Sequence, residues 1–472
     1  MTAGMPEAHV DVVVMGGGAC GTIAALAARA AGADVLLVER DANPFGTTGM
    51  SMGLICAAGT AAQARHGVSD GADTFFADIM AKTRGQADPV LARSIAAHSG
   101  PALDWLVDCC DVPLDLDVRF RAAYGNSRLR VHGWPGHDGQ DLLALLHRRV
   151  ADVDTMVMTG TRVVALRSEP GRSGAARISG VELLRPDGAR ETVSCGALVM
   201  ASGGFAASTA MLARHIPAMA SARNNGHEGS QGDAVRLASP LGAGLGDMGA
   251  FQGYAMLADP HGISVPPGYL AEGGVLVNAM GARFVDEMED IAGMVHDVLA
   301  QPGATAWVVF DPRIEAANSY QPDAARLVAM GAPRRASDVA KLADVIGADR
   351  AVLGATLAEA QAAAAERRPD AFARRWSPET PPPGAGPGGE EGLAAIRVTG
   401  AIYHTQGGLQ IDGSARALDT GRVPFANLFA GGGAARSVSG PSSWGYLPAM
   451  GLCTAMTFGR LAGEGAALAA SG

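Results

Sequence analysis

A glycine pattern near the N-terminus has the spacing that binds a dinucleotide. Gly16, Gly18 and Gly21 form GxGxxG directly after three valines at 12–14. In this pattern the first glycine makes a tight turn, the second lets the backbone approach a pyrophosphate, and the third lets helix and strand pack closely. Glu39 ends the next apolar run, where a carboxylate can accept hydrogen bonds from a ribose diol. These residues together predict a dinucleotide site.

The elements that must position these residues can be read from the same stretch. The valines predict a buried parallel strand, the Ala-rich residues after Gly21 predict a helix, and residues 34–38 predict a second strand. Residues 45–59, FGTTGMSMGLICAAG, then combine glycines with hydroxyl groups directly after the ribose-binding strand. Such residues suit a ligand that continues past its pyrophosphate, as FAD does, whereas an NAD domain would normally continue into an ordinary helix. We therefore expect FAD.

Composition and charge narrow the range of partners. The 472 residues carry a formal net charge of −10 without a Lys/Arg-rich run, which argues against nucleic acid. The six cysteines have no CxxC spacing, which argues against zinc and a disulfide scaffold, so no metal site is expected. No apolar run is long enough to span a membrane, and the first residues lack a signal-peptide pattern. We therefore expect a cytoplasmic protein without membrane insertion.

Further motifs follow in order along almost the whole chain. They are the Gly/Thr/Ser loop after Glu39, ALVMASGGF at 197–205, QGDAVRLASPLGAGLGDM at 231–248, GARFVDE at 281–287, HTQGGLQID at 404–412, LFAGGGAA at 428–435 and FGRLAGEGAA at 458–467. As a set they resemble the flavoprotein family of fumarate reductase, succinate dehydrogenase and 3-ketosteroid Δ1-dehydrogenase. Residues 299–311, LAQPGATAWVVFD, also resemble the branch that contains tricarballylate dehydrogenase.

The resemblance implies an α/β fold, with a Rossmann-like FAD-binding domain and an inserted α+β capping domain for the substrate. The FAD-binding domain would comprise residues 1–249 and 399–472, and the capping domain residues 250–398. Residues 162–194 alternate apolar and polar positions around a PDG turn, which predicts an antiparallel meander. The Pro/Gly-rich residues 377–392 predict an exposed connector.

The family also implies which residues contact FAD. Attachment is expected to be non-covalent, because the family's covalent link needs a histidine in the loop at 47–52, and this chain has none there. The family's acidic ribityl-binding residue corresponds to Gly432. The expected cofactor-binding residues are Gly16, Gly18, Ala19, Cys20, Gly21, Glu39, Arg40, Thr47, Thr48, Ser51, Met52, Gly53, Val163, Ala201, Ser202, Gly203, Asp233, Gly432, Gly433 and Leu452.

Residues that hold a dicarboxylate in the fumarate enzymes are largely replaced in this chain. The resemblance aligns their proton-donating arginine with Ile291, and a histidine at the cap entrance with Tyr254. The fumarate enzymes have a second, carboxylate-binding arginine in the segment that corresponds to GPSSWGYLPAM, residues 440–450 of this chain. This segment contains no arginine. An unpaired buried carboxylate costs several kcal/mol, so a dicarboxylate substrate is disfavoured.

Tyr446 resembles the tyrosine of the GYPxxG segment of the ketosteroid dehydrogenases, with one residue inserted before Pro448. The resemblance implies that its hydroxyl polarises a ketone oxygen and so acidifies the adjacent C–H. His404 of HTQGG would lie beside the flavin or the substrate. The candidate bases that would remove the proton are Tyr254, Tyr269 and His132. Each of these side chains could equally serve packing or local structure.

Three other charged residues have alternative interpretations. Arg283 and Glu287 of GARFVDE suit a structural ion pair in the capping domain. Arg436 follows the glycine turn at 431–433, where it could meet a substrate carboxylate or lie at the surface.

The leading hypothesis is an FAD-dependent desaturase that introduces a C=C bond next to the carbonyl of a small or cyclic ketone or keto acid. Hydride would pass to flavin N5 and the α-proton to a Tyr or His base. The alternatives are fumarate-reductase-like reduction of an activated C=C bond, and a non-catalytic flavoprotein in electron transfer. The chain has no haem or iron–sulfur motif, so an external electron acceptor is expected. The sequence leaves open the exact substrate, the reaction direction, the base, the acceptor and the oligomeric state.

Overall fold

The computed structural model describes residues 8–134, 136, 138–171, 176–385, 388 and 391–472. The strands are β1 (Ala8–Met15), β2 (Val35–Val38), β3 (Ile55–Cys56), β4 (Asp115–Leu116), β5 (Val131–Gly133), β6 (Met156–Met158), β7 (Arg162–Glu169), β8 (Arg177–Leu184), β9 (Arg190–Met200), β10 (Arg223–Asn224), β11 (Leu245–Gly246), β12 (Phe251–Ala258), β13 (Val275–Val277), β14 (Thr305–Phe310), β15 (Arg334–Ala336), β16 (Leu393–Thr405), β17 (Gly408–Leu409), β18 (Arg416–Leu418) and β19 (Pro424–Ala430). The helices are α1 (Ala19–Ala30), α2 (Gly46–Gly49), α3 (Ala61–Arg65), α4 (Ala72–Lys82), α5 (Pro89–Cys110), α6 (Gly139–Asp152), α7 (Thr209–His215), α8 (Asp233–Ala238), α9 (Gly268–Ala271), α10 (Met294–Leu299), α11 (Pro312–Asn318), α12 (Pro322–Ala329), α13 (Val339–Ile346), α14 (Arg350–Ala365) and α15 (Met450–Ala470).

The chain forms two compact units. Unit 1 contains the described residues up to Asp117, together with Asn126–Phe251 and Tyr403–Gly472. Unit 2 contains Val118–Gly125 and Gln252–Ile402. The boundaries near 251 and 402 lie within a few residues of those expected from the sequence. The contribution of Val118–Gly125 to unit 2 was not expected.

The main sheet of unit 1 is a largely parallel, Rossmann-like sheet. Its strand order is β18-β19-β9-β1-β2-β6, and β1 pairs in parallel with both β2 and β9. Val12, Val13 and Val14 are fully buried, as expected for an apolar strand covered on both faces. On the same sheet β7, β8 and β9 pair antiparallel, so the meander predicted at 162–194 is confirmed for its described residues.

Helices α1 and α15 pack closely in unit 1 because of two glycines. A Cβ on Gly459 would lie 2.7 Å from the carbonyl oxygen of Cys20, and a Cβ on Gly463 would lie 2.2 Å from that of Ala24. Residues four apart lie on one face of a helix, so this small-residue face lets the two backbones approach. The contact brings the C-terminal helix against the helix that begins at the glycine turn.

Unit 2 is an antiparallel sheet covered by helices, which agrees with the expected α+β class. Strand β14 pairs antiparallel with β13 and β16, and β12 and β15 also pair with β16. Helices α13 and α14 contribute Leu342, Leu353 and Leu357 to a core with Val275 and Val277. Within the described part of the chain, no helix is long and apolar enough to cross a membrane.

Candidate active site

The glycine turn after β1 leaves a helix N-terminus open. Gly16 has φ +111°, and a Cβ there would lie 2.4 Å from the carbonyl oxygen of Ala201. A Cβ on Gly21 would lie 1.8 Å from the carbonyl oxygen of Gly16. Helix α1 begins at Ala19, and its N-cap residue Gly18 has no side chain to cap the helix. The N–H groups of a helix start favour a bound anion such as a phosphate.

Glu39 lies directly over this turn. Its Oε2 accepts a hydrogen bond from the Gly17 N–H at 2.6 Å, and its Oε1 accepts one from the Asp41 N–H at 2.8 Å. The neighbouring Arg40 donates to Asp41 and to the carbonyl oxygen of Gly229 at 2.9 Å. The carboxylate is therefore fixed beside the turn, with accepting capacity left for a diol.

The hydroxyl-rich loop predicted to follow Glu39 is anchored to the start of α1. Thr48 Oγ1 accepts a hydrogen bond from the Ala19 N–H at 3.0 Å. Ser51 donates to the Thr48 carbonyl at 2.7 Å and accepts from the Gly53 N–H at 3.1 Å. Thr47 and Met52 lie within the same loop. These bonds place the loop next to the glycine turn.

Two more predicted loops meet the glycine turn because β1, β9 and β19 are parallel neighbours and end at one edge of the sheet. The loop Ala201, Ser202 and Gly203 follows β9, and the loop with Gly432 and Gly433 follows β19. Close approaches join them: a Cβ on Gly433 would lie 2.8 Å from the nitrogen of Gly204, and one on Gly431 would lie 2.7 Å from Cys20 Sγ.

The remaining predicted cofactor residues lie in neighbouring elements of unit 1. Val163 is buried in β7, Asp233 begins α8 and pairs with Arg236 at 2.8 Å, and Leu452 lies in the first turn of α15. The buried Ser202 hydroxyl has no hydrogen-bond partner among the described residues. An orphaned buried hydroxyl, a helix start at the glycine turn, a fixed carboxylate and converging glycines fit FAD, because a dinucleotide needs close backbone approach and polar partners.

Tyr446 and His404 lie together in unit 1. Their ring centroids are 5.7 Å apart and the rings are inclined at 70°. The Tyr446 hydroxyl accepts a hydrogen bond from the Gly451 N–H at 3.2 Å, which leaves its own proton to donate. Burial raises the pKa of Tyr446 above its usual value and lowers the pKa of His404 to about 4. Both side chains are therefore neutral at neutral pH.

Gly451 lies directly against both side chains. A Cβ at Gly451 would lie 3.1 Å from His404 Nε2 and 3.4 Å from the Tyr446 hydroxyl oxygen. The residue lies in the first turn of α15, after Ala449 at the helix N-cap, whose φ is +61°. This left-handed conformation is costly for a residue with a Cβ. The strained turn brings the Gly451 N–H to the phenol.

Two of the three candidate bases are enclosed within the protein. Tyr269 is fully buried in unit 2 and packs edge-on against Phe310, and its hydroxyl has no hydrogen-bond partner in the part of the chain that the structure describes. His132 is fully buried in unit 1, where its Nε2 is 2.8 Å from Thr60 Oγ1 and its Nδ1 is 3.0 Å from the Arg130 carbonyl oxygen. These positions favour structural roles for both residues.

Tyr254 and Ile291 are also buried in unit 2. The Tyr254 hydroxyl donates to the Val265 carbonyl oxygen at 2.6 Å. Ile291, which the sequence resemblance aligns with the proton-donating arginine of the fumarate enzymes, is 4% exposed.

The two arginines with alternative interpretations, Arg436 and Arg283, are bound to carboxylates. Arg436 Nε donates to Asp247 at 2.7 Å and its Nη1 donates to Asp88 at 2.8 Å, so its charge is balanced within unit 1. Arg283 pairs with Glu287 through two hydrogen bonds of 2.9 and 2.7 Å in the interior of unit 2. Arg283 and Glu287 therefore form the structural ion pair that the sequence predicted.

Two residues of the Tyr446–His404 site were missed from the sequence. Gln406 Nε2 is 2.7 Å from His404 Nδ1, and Ser439 Oγ donates to Gln406 Oε1 at 2.9 Å. A signal for Gln406 was present, since it follows His404 by two residues, directly after β16 ends at Thr405, and residues i and i+2 share one face of an extended chain. Ser439 lies far along the chain and carried no signal.

The Rossmann-like sheet, the open glycine turn and the converging loops define a flavoprotein. The FAD binding domain family matches residues 11–445, so the chain belongs to that family. A cytochrome-type fumarate reductase of Shewanella frigidimarina is 27% identical over 469 residues, covering 98% of this chain and 78% of that protein. A 4-oxocyclohexanecarboxylate 2-dehydrogenase of Sinomonas cyclohexanicum is 25% identical over 559 residues, covering 99% and 95%. The solved structure of a 3-ketosteroid Δ4-(5α)-dehydrogenase from Rhodococcus jostii RHA1, in complex with 4-androstene-3,17-dione, is similar with a TM-score of 0.75, at 25% identity, and covers 99% of this chain and 98% of that one.

These findings confirm FAD as the cofactor and the stated family. The protein is an FAD-dependent oxidoreductase that acts on CH–CH groups. Among the described residues, no group of three or more His, Cys, Asp or Glu side chains could hold a metal ion.

Gly21→Ala should strongly reduce FAD binding. The added methyl group would lie 1.8 Å from the carbonyl oxygen of Gly16, a backbone atom that cannot move without opening the turn. The measurement is flavin absorbance per polypeptide after purification, followed by an FAD titration, with circular dichroism as a check on folding. The control is Gly354→Ala in α14, where nothing lies within 4 Å of the new Cβ. A folded Gly21→Ala protein with full FAD content would contradict the assignment.

Proposed function

We propose that the protein is a desaturase that introduces a C=C bond next to the carbonyl of a small or cyclic ketone or keto acid. The observation that carries the proposal is the buried, protonated Tyr446 hydroxyl beside His404, with Gly451 directly against both side chains. A phenol O–H is a neutral donor that suits the oxygen of a ketone and of the enolate that develops from it.

The chain's own residues would act on the carbonyl and on the proton. FAD, when bound, supplies the acceptor for the hydride that leaves the β-carbon. Tyr446 would donate its hydrogen bond to the carbonyl oxygen and so stabilise negative charge as the α-proton leaves, an effect worth roughly 3–4 kcal/mol per donor. The Gly451 N–H that donates to the phenol oxygen at 3.2 Å would strengthen this donor. None of the three candidate bases is singled out by burial, because Tyr254 is enclosed like Tyr269 and His132. The Tyr254 hydroxyl donates to the Val265 carbonyl oxygen at 2.6 Å.

A ketone is favoured over a dicarboxylate by the charges of the described residues. Ile291 offers no charge, and the Arg436 guanidinium is bound by Asp88 and Asp247. The carboxylates of a diacid would need positive partners to offset the loss of hydration. The relatives that are named for 4-oxocyclohexanecarboxylate and for 3-ketosteroids support the same substrate class.

Reduction of an activated C=C bond is the second candidate, because a relative whose match covers 98% of this chain is a fumarate reductase.

In either direction FAD is proposed to be held non-covalently, since the loop at 47–52 contains no histidine. The electrons are then passed to or from an external partner. Acid precipitation of the protein should release the flavin into the supernatant.

The test is anaerobic mixing of the oxidised holoprotein with a panel of probes. The probes are 4-oxocyclohexanecarboxylate, cyclohexanone, 4-androstene-3,17-dione and succinate, and the measurement is bleaching of the flavin absorbance band. We expect at least one ketone to reduce the flavin and succinate to have no effect. Reduction by succinate would overturn the choice of a ketone. If no probe reduces the flavin, but chemically reduced protein is reoxidised by an enone or by fumarate, the reductase direction is correct. No response in either direction would favour a non-catalytic flavoprotein.

A further inference from the structure

A short hydrogen-bond chain behind His404 is not used by the proposed reaction. Ser439 Oγ donates to Gln406 Oε1 at 2.9 Å, and Gln406 Nε2 lies 2.7 Å from His404 Nδ1. Gln406 is 3% exposed and Ser439 is 1% exposed. The backbone holds the chain in place, because the Gln406 N–H donates to the Ala250 carbonyl and its own carbonyl accepts from the Ser437 N–H.

The orientation of the Gln406 amide sets the direction of this chain, since its Oε1 faces Ser439 and its Nε2 faces His404. A serine hydroxyl can donate or accept, an amide oxygen can only accept, and an amide nitrogen can only donate. With Oε1 bound by Ser439, the amide presents its N–H to His404, so Nδ1 must accept. A neutral imidazole carries one proton, which is then on Nε2.

We propose that Gln406 and Ser439 are positioning residues that hold His404 as the Nε2–H tautomer, so that His404 donates a hydrogen bond to the substrate oxygen and is not the base. This inference rests on the proposed function for the identity of the oxygen, but the tautomer itself does not. Burial lowers the pKa of His404 to about 4, which agrees with a neutral ring at neutral pH.

The geometry places this donor beside the phenol. His404 Nε2 and the Tyr446 hydroxyl oxygen both lie within 3.4 Å of the point that a Cβ on Gly451 would occupy. A carbonyl oxygen has two lone pairs and can accept from two donors. Two neutral donors that converge beside Gly451 suit a ketone and its enolate, whereas a histidine with its lone pair at Nε2 would face the same oxygen with repulsion.

The loop that carries Tyr446 is joined to the same chain. Gly445 lies so close to Ser439 that a Cβ on it would be 1.8 Å from the Ser439 carbonyl oxygen. Gly445 ends a short 3-10 turn, Ser443–Gly445, directly before Tyr446. Ser439 therefore supports both donors, one through Gln406 and the other through backbone contact.

The test determines which ring nitrogen of His404 carries the proton. Holoprotein is labelled with 15N-histidine, and the tautomer is identified from long-range proton–nitrogen NMR spectra. The His404 signals are identified by their loss in His404→Gln. We expect the wild-type ring to carry its proton on Nε2.

In Gln406→Glu, the carboxylate can only accept, so the proton should move to Nδ1, and reduction of the flavin by a reactive ketone should slow by about tenfold or more. Gln410→Met is the matched control, because that amide donates to the Leu245 carbonyl at 2.9 Å instead. It should leave the tautomer and the rate unchanged.

The wild-type spectrum decides the proposal even if a variant does not fold. A proton on Nδ1, or a mixture of tautomers, would overturn it. The proposed function is judged separately: if Nε2–H is found but no ketone reduces the flavin, the choice of substrate fails while the positioning role of Gln406 stands.

Discussion

In Tyr446→Phe, a reactive ketone should reduce the flavin about 10²-fold or more slowly than in the wild type. This is the usual effect of removing one donor to a developing oxyanion. The substitution removes only the hydroxyl, because the two rings have the same shape. The Gly451 N–H loses its acceptor at 3.2 Å, but it lies at a helix start, where water can replace the phenol. The measurement is the rate constant of anaerobic flavin bleaching in stopped flow, at saturating ketone.

Tyr269→Phe is the matched comparison for this variant. The Tyr269 hydroxyl is buried and no described residue is its hydrogen-bond partner, so its removal should leave the rate of flavin reduction unchanged. It should also raise stability slightly, because an unsatisfied buried hydroxyl is lost. An equal loss of rate in both variants would return Tyr269 to the list of candidate bases. An unchanged rate in Tyr446→Phe would leave Tyr446 as a packing residue.

Glu287→Gln should destabilise the protein by about 3–5 kcal/mol, the usual effect of breaking a buried ion pair. The carboxylate is fully buried and accepts from Arg283 at 2.9 and 2.7 Å and from Arg374 at 2.9 Å. It also accepts from the Leu276 N–H at 2.9 Å. The amide keeps the volume but leaves two buried guanidinium groups with too little negative charge. The measurement is the midpoint of denaturant unfolding followed by tryptophan fluorescence, since Trp376 stacks on Arg374 at 3.8 Å.

The pH dependence of this effect has a definite sign. Burial alone would raise the pKa of Glu287, but the guanidinium groups of Arg374 and Arg283 outweigh it and lower the pKa below the usual value. A carboxyl with a lowered pKa contributes its stability above the pKa of the unfolded chain, about 4.3, and loses it as the pH falls through the lower folded value. The difference between wild type and Glu287→Gln should therefore be full at neutral pH and shrink below about pH 4. The exposed Glu366→Gln is the control and should leave the midpoint unchanged, whereas an unchanged midpoint in Glu287→Gln would show that the cluster is not stabilising.

The elements that the sequence predicted well are those with local signals. The glycine turn and Glu39 depend on spacing within one strand–helix–strand unit, and the meander at 162–194 depends on alternation and a turn. The three loops that converge on the turn follow from parallel strands, whose ends must share an edge. Each of these features is predicted either by a short segment of the sequence or by a general rule of topology.

The features that were missed depend on contacts between distant residues. Ser439 meets Gln406 across 33 residues, and Arg374 meets Glu287 across 87, without any periodic pattern to predict either contact. Arg130 is similar: it is buried and pairs with Asp70, 60 residues away, and with Asp78. Buried polar groups require partners, so the sequence implies that partners exist, but only the fold determines which ones.

The contribution of Val118–Gly125 to unit 2 limits how the inserted domain can be separated from the rest. The backbone passes between the two units four times, at 117/118, 125/126, 251/252 and 402/403. Within unit 2, Tyr124 donates to the Pro267 carbonyl at 3.1 Å, and Arg121 pairs with Glu272 at 2.6 Å. A fragment cut from 252 to 402 would therefore be an incomplete domain that lacks an eight-residue piece of its own structure. Domain-swap chimaeras between relatives need to exchange this early peptide together with the later segment.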